Sequence, residues 1–156
     1  MKSNVTNVVI GGLGGQGVLK ASDVLADLAF SAGLDVKKSE VHGMSQRGGS
    51  VSSDVRFGEH VYSPMVPPGE ADYLVVISAD QVPVNQAALA PNGVLIDDSQ
   101  IDVSKLTNKK SINIALLGVL SRRLDFTPEA WMAAIYRNLP EKLHEVNEKA
   151  FLLGRG

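Results

Sequence analysis

The chain has no cysteine among its 156 residues. That excludes a disulfide, a thiolate nucleophile, a cysteine-ligated zinc and a cysteinyl iron–sulfur cluster. In a redox system, another polypeptide has to carry the metal. Aromatic residues are scarce at 5 %, with a single tryptophan, so the core must pack through aliphatic side chains. No charge of one sign dominates: 15 Lys and Arg are interspersed with 17 Asp and Glu, for a formal net charge of −2. Such a balance proposes neither nucleic acid nor an anionic membrane as a partner. No apolar run approaches the roughly 18 residues of a membrane span. Met1-Lys2-Ser3-Asn4 leads into a strand-like segment rather than a leader peptide. One cytoplasmic domain over residues 1–156 is expected, with 44 % hydrophobic residues to fill its core.

Catalytic signatures are missing too. There is no G-x-S-x-G, no H-E-x-x-H and no G-x-x-x-x-G-K-[ST]. The G-D-G segment with which enzymes hold the magnesium of thiamine diphosphate is also absent. No acid, base or hydroxyl forms an obvious nucleophile–base pair. A scaffold that binds an anion, or docks on a larger machine, fits better than an isolated catalyst.

What is present starts with Val8-Val9-Ile10-Gly11-Gly12-Leu13-Gly14-Gly15-Gln16-Gly17-Val18. A buried-strand signal over residues 5–10 runs into a glycine-rich bend, and a helical pattern opens after it. Gly12, Gly14 and Gly17 fit G-x-G-x-x-G, which permits a tight turn and close approach to the backbone. Gln16, Gly17 and Val18 would offer backbone N–H groups to an anion. The same loop can equally do no more than join a strand to a helix. Ala21, Val24, Leu25, Leu28, Ala29 and Ala32 give a helix over about residues 15–32 one apolar face, and Gly33 suits a left-handed cap. Residues 34–41 read as a strand returning parallel to the first. Glu40 is the only acid near the place where a dinucleotide fold holds its ribose, and a solvated strand end beside Lys37 and Lys38 explains it as well.

The stretch Glu40-Val41-His42-Gly43-Met44-Ser45-Gln46-Arg47-Gly48-Gly49-Ser50 has no helical or strand period. His42, Met44, Ser45, Gln46, Arg47, Gly48 and Gly49 make it a candidate binding loop on a rigid scaffold. Arg47 beside two glycines can grip a phosphate or carboxylate, or it can pin the loop internally. His42 has no metal-ligand companion in sequence, which leaves a structural hydrogen bond or a contact with substrate or partner.

Residues 51–57 alternate apolar and polar, and Gly58-Glu59 suits a two-residue turn into a short strand over 60–62 at a sheet edge. Residues 73–77 read as a buried strand, followed by a short helix with Pro83 in its first turn. That helix should stop before Pro91-Asn92-Gly93, with a strand over 94–97. Asp97 and Asp98 follow that strand, where a turn is the simpler reading than a site. Helices are expected from Ile112, from Thr127-Pro128-Glu129 and from Pro140, the last ended by Gly154. The fold class is thus α/β: an open, mostly parallel Rossmann-like sheet with helices on both faces and an edge β-hairpin.

Gly12-x-Gly14-Gly15-Gln16-Gly17-Val18, followed by the motif from Glu40 to Val51, resembles the gamma domain of the 2-oxoacid:ferredoxin oxidoreductases. The small subunits of the indolepyruvate type are the nearest match. Ala71-Asp72, Leu117-Gly118 and Asn147-Glu148-Lys149-Ala150-Phe151-Leu152-Leu153-Gly154 continue it, so it spans nearly the whole chain as a single gamma-type domain. The resemblance implies a subunit of a cytoplasmic complex that oxidatively decarboxylates a 2-oxoacid, uses coenzyme A as acyl acceptor and reduces ferredoxin. Thiamine diphosphate, its magnesium and the iron–sulfur clusters would lie on larger partner subunits, with none held by this chain alone. It also implies that Gly12, Gly14, Gly15, Gln16 and Gly17 meet a phosphate or a neighbouring subunit, and that residues 44–49 face the active-site region. A stand-alone nucleotide-binding module and a purely structural docking subunit are the other readings. The segment between Val94 and Ile112 is shorter than in the family, which predicts a trimmed far side of the sheet.

Overall fold

A computed structural model describes residues 4–42 and 49–156. Five strands, β1 (Val5–Leu13), β2 (Asp35–His42), β3 (Ser50–Gly58), β4 (Ala71–Val76) and β5 (Leu89–Ile96), form one sheet in the order β2-β3-β1-β4-β5. β4 lies parallel to β1 and β5 parallel to β4, whereas β3 is antiparallel to both β1 and β2. Four strands therefore run one way and β3 runs against them.

The α-helices among the described residues are α1 (Val18–Ser31), α2 (Val82–Asn85), α3 (Ile112–Ser121), α4 (Pro128–Asn138) and α5 (His144–Arg155). Helix α1 starts at Val18, later than residue 15, because Gly15 and Gly17 are left-handed at φ 87° and 83°. At its other end Gly33 is left-handed too, with φ 88°. In α4, Thr127 accepts the Ala130 N–H and Pro128 occupies the first turn.

The two faces of the sheet are covered unequally. Val8, Ile10, Val55, Phe57, Val75 and Ile96 pack beneath α1, α3, α4 and α5 in the main core. The opposite face buries Val9, Leu74 and Val76 against Ala71 and Val66, with Val82 and Ala88 from around α2 at its margin.

Four expectations need correction. No strand forms over residues 60–62 and no hairpin turns at Gly58; the antiparallel pair at the sheet edge is β2 with β3. β2 points the same way as β1 but is separated from it by β3. Pro91-Asn92-Gly93 lies within β5 rather than ahead of it, on an edge strand where a proline is tolerated and the register with β4 shifts. Gly154 does not end the last helix. It sits inside α5, where a Cβ would stand 1.8 Å from the Ala115 carbonyl oxygen.

Between β5 and α3 the chain makes three 3-10 turns, each capped by its own polar residue: Asp97, Asp102 and Asn108. Asp97 accepts from the Ser99 N–H while Gln100 returns to the Asp97 N–H, so this acid is spent on a turn.

Candidate functional site

Strand β1 delivers the glycine loop to the carboxyl end of the sheet, beside the β1/β4 junction where open α/β sheets bind ligands. Inside the loop, the Leu13 N–H donates to Gln16 Oε1 at 2.7 Å and the Gln16 N–H to the Leu13 carbonyl at 3.1 Å. Gln16 is thereby folded over Gly12, where a Cβ would meet its Oε1 and a Val18 methyl, each at 2.9 Å. Gly12 is needed for this closure. Gly15, at the exposed apex, has nothing within 4 Å of its Cβ position.

The two motifs of the sequence meet here. The Gly14 N–H donates to the Gly49 carbonyl at 2.8 Å, and β3 then pairs Ser50 with Leu13 and Val51 with Gly12. His42, whose side chain is not described, ends β2 opposite Val51. His42 and Gly49 therefore lie at the same end of the sheet as the glycine loop. Met44, Ser45, Gln46, Arg47 and Gly48 lie outside the described residues.

Helix α1 presents donors beside this junction. Its first i→i−4 bond runs from the Ala21 N–H to the Gly17 carbonyl, and no side chain caps it. The N–H groups of Val18, Leu19 and Lys20 thus have no acceptor within the helix, and the positive end of the helix dipole favours an anion.

Amide side chains without any sequence signature complete the edge. Asn113, from the first turn of α3, donates to the Gly17 carbonyl at 3.1 Å and closes over Gly17. Buried Gln81 accepts the Ser50 hydroxyl at 2.7 Å, and its carbonyl holds Asn85 against Gly11. The Ile77 N–H reaches the Gly11 carbonyl at 2.9 Å. No spacing rule singles these residues out. The only signal was the polar run Ser78-Ala79-Asp80-Gln81 directly after a buried strand.

Glu40 is not brought to the loop. It stands on β2, two strands and roughly 10 Å from β1. Lys38 Nζ contacts it at 3.2 Å and also pairs with Asp23 of α1. Burial weighs against the Lys38 ammonium, but these two carboxylates outweigh it and hold its pKa above the ordinary lysine value. A ribose-binding acid next to the glycines is therefore not formed by Glu40.

The sequence profile of the pyruvate ferredoxin/flavodoxin oxidoreductase family matches residues 7–156. The chain is 36 % identical, over 188 aligned positions, to indolepyruvate oxidoreductase subunit IorB of Thermococcus kodakarensis, covering 95 % of this chain and 93 % of the relative. An alignment longer than the 156 residues of this chain means that the relative carries insertions missing here. The gamma subunit of a keto/oxoacid ferredoxin oxidoreductase from Geobacter sulfurreducens shares the fold with a TM-score of 0.80 at 24 % identity, over 97 % of this chain and 95 % of that one. A chain of 2-oxoglutarate:ferredoxin oxidoreductase from Magnetococcus marinus, solved with 2-oxoglutarate, coenzyme A and succinyl-CoA bound, gives a TM-score of 0.81 at 17 % identity. The match covers 99 % of this chain and 31 % of that one, so there the same fold is one part of a longer polypeptide. With the profile matched from β1 to the final residue, the chain belongs to the pyruvate ferredoxin/flavodoxin oxidoreductase family.

Proposed function

We propose that this chain is the small, non-catalytic subunit of a thiamine-diphosphate-dependent 2-oxoacid:ferredoxin oxidoreductase of the indolepyruvate type. Its role is to lend a shaped, donor-rich edge to an enzyme whose reactive groups belong to a larger subunit. The observation that carries this reading is the Gly14 N–H bond to the Gly49 carbonyl, which joins the two sequence motifs into one surface. The chain's own donor set supports the division of labour. Without cysteine it has no thiolate for an iron–sulfur cluster. The clusters and the thiamine diphosphate are assigned to the partner, which also passes electrons to ferredoxin.

On this reading the surface around Gly15 and residues 42–49 faces the partner and borders the path of coenzyme A. The uncapped first turn of α1 has the chemistry to take a phosphate of that acyl acceptor. Gly12 and Gln16 shape the loop, and Arg47 supplies the cation.

The test is reconstitution with the larger thiamine-bearing subunit, followed by 2-oxoacid- and coenzyme-A-dependent ferredoxin reduction. The expected result is co-purification, with activity that requires this chain. Full activity of the larger subunit alone would reject the proposal. Binding of a nicotinamide or flavin nucleotide by the isolated chain, lost in Gly14→Val, would instead favour a stand-alone nucleotide module.

A further inference from the structure

At the end of the sheet opposite the glycine loop, where β1 and β4 begin and β3 ends, lies a concavity of about 1010 Å³. It is comparable to the largest of ordinary small-molecule sites, which run to roughly 1,000 Å³. Its wall includes Leu34, Phe57, Tyr73 and Phe126. Phe57 is buried in the main core, 5.9 Å from the ring of the partly buried Phe126, so Phe126 and Tyr73 supply the accessible aromatic surface of this wall. The Tyr73 hydroxyl reaches the Arg123 carbonyl at 3.4 Å and ties this wall to the segment after α3.

The charges around this apolar wall are one-sided. Among the described residues, Glu59, Glu70, Asp72 and Asp125 line the concavity against the single cation Arg123. None of the ion pairs formed among the described residues uses any of these four carboxylates. Asp72 accepts the Asn7 N–H at 2.8 Å, which orients it without neutralising it. A concave surface with low-dielectric walls focuses such a field. An anion would be repelled, and a bare metal ion would make no use of the aromatic wall.

We propose that this concavity binds a small organic ammonium ion with an apolar body, its hydrocarbon against Phe126, Tyr73 and Leu34 and its charge among the carboxylates. Aromatic faces and carboxylates both attract an ammonium group, while the apolar body is withdrawn from water. The inference does not depend on the reading of the glycine loop, since the two sites lie at opposite ends of the strands.

The full chain should be titrated with phenethylammonium and, separately, with phenylacetate, which has a similar body and the opposite charge. Calorimetry gives the affinity. The emission of Trp131, which meets Phe126 edge-on at 6.3 Å, gives a local readout. Saturable binding of the ammonium is expected, at least about tenfold tighter than the carboxylate. It should weaken as salt rises from about 0.05 to about 0.5 M. Glu59 and Asp125 are exposed, so the Glu59→Gln/Asp125→Asn double variant should keep its melting temperature while losing at least about fivefold in affinity. Any of three results would overturn the proposal: no saturable ammonium binding, equal binding of phenylacetate, or full affinity in the double variant. Capture of a lysine-rich peptide without binding of phenethylammonium would also overturn it, in favour of a protein partner.

Discussion

Two sets of glycines in this fold stand under different constraints, one in the loop after β1 and one where α3 crosses α5. A Cβ on Gly118 would stand 2.2 Å from the Phe151 carbonyl oxygen, and one on Gly154 1.8 Å from that of Ala115. Those obstacles are helix backbone and cannot turn aside. At Gly12 and Gly17 the nearest obstacles are side-chain atoms of Gln16, Val18 and Asn113. The helix pair therefore fixes how closely α3 and α5 pack, whereas the loop has room to adjust. The G-x-G-x-x-G signature is the more conspicuous in sequence, yet the tighter packing constraint falls on Gly118 and Gly154.

Gly154→Ala should give the largest loss. Overpacking at a backbone contact is expected to cost about 3 kcal/mol or more, a fall of roughly 10 °C in melting temperature by calorimetry. A shift under about 2 °C would remove the distinction between the two sets. Gly17→Ala should cost about 2 kcal/mol, from left-handed strain plus collision with Asn113. The Gly17→Ala/Asn113→Ala pair should recover about 1 kcal/mol of that by relieving the collision and leaving the strain. Strict additivity in denaturant unfolding would show that Asn113 is not the obstacle.

A smaller effect separates the two faces of the sheet by pH. On the helical face, Arg137 foremost, with Ser31 and Asn138, holds the Asp27 carboxyl below its ordinary pKa although partial burial opposes them. Its stabilisation is present above the ordinary carboxylate range and is lost as pH falls through the lowered value. On the thin face, burial raises the Asp54 pKa, against the Val66 N–H and Arg56. Its ionised form costs stability once pH rises through that raised value. Asp27→Asn should therefore destabilise at neutral pH by about 1 kcal/mol, with a penalty that fades in acid. Asp54→Asn should be neutral or stabilising at pH 7 by up to about 1 kcal/mol, with a benefit that also fades in acid. Parallel stability–pH curves for both variants and the parent would contradict this.

Much of the fold was legible because local chemistry and tertiary structure agree. The Gly33 cap, the Thr127-Pro128 helix start and Pro83 in the first turn of α2 all stand where the sequence places them. The position of β3 was not legible. Ser52, Asp54 and Arg56 give it a polar face that suggests an edge strand, yet it lies between β2 and β1. The polarity is absorbed by the following segment: Asp54 accepts the Val66 N–H, and Arg56 donates to the Ser63 and Met65 carbonyls and to Asn7. Such pairing arises only once the chain is folded. Gly154 was misread for a related reason, since a glycine near a helix end suits both a cap and a close crossing. At the candidate site the glycines were legible, but Gln81, Asn85 and Asn113 were not, because amides that seal a backbone follow no fixed spacing.

The central claim is that the loop's exposed apex works on something outside this chain. Gly15→Asn tests it most directly, because asparagine tolerates the left-handed backbone and the Cβ position is open. The account predicts a stability change within about 0.5 kcal/mol. With it should come at least a roughly tenfold weakening of assembly with the larger subunit, or a comparable rise in the KM for coenzyme A. A variant that folds, assembles and uses coenzyme A as the parent does would contradict it.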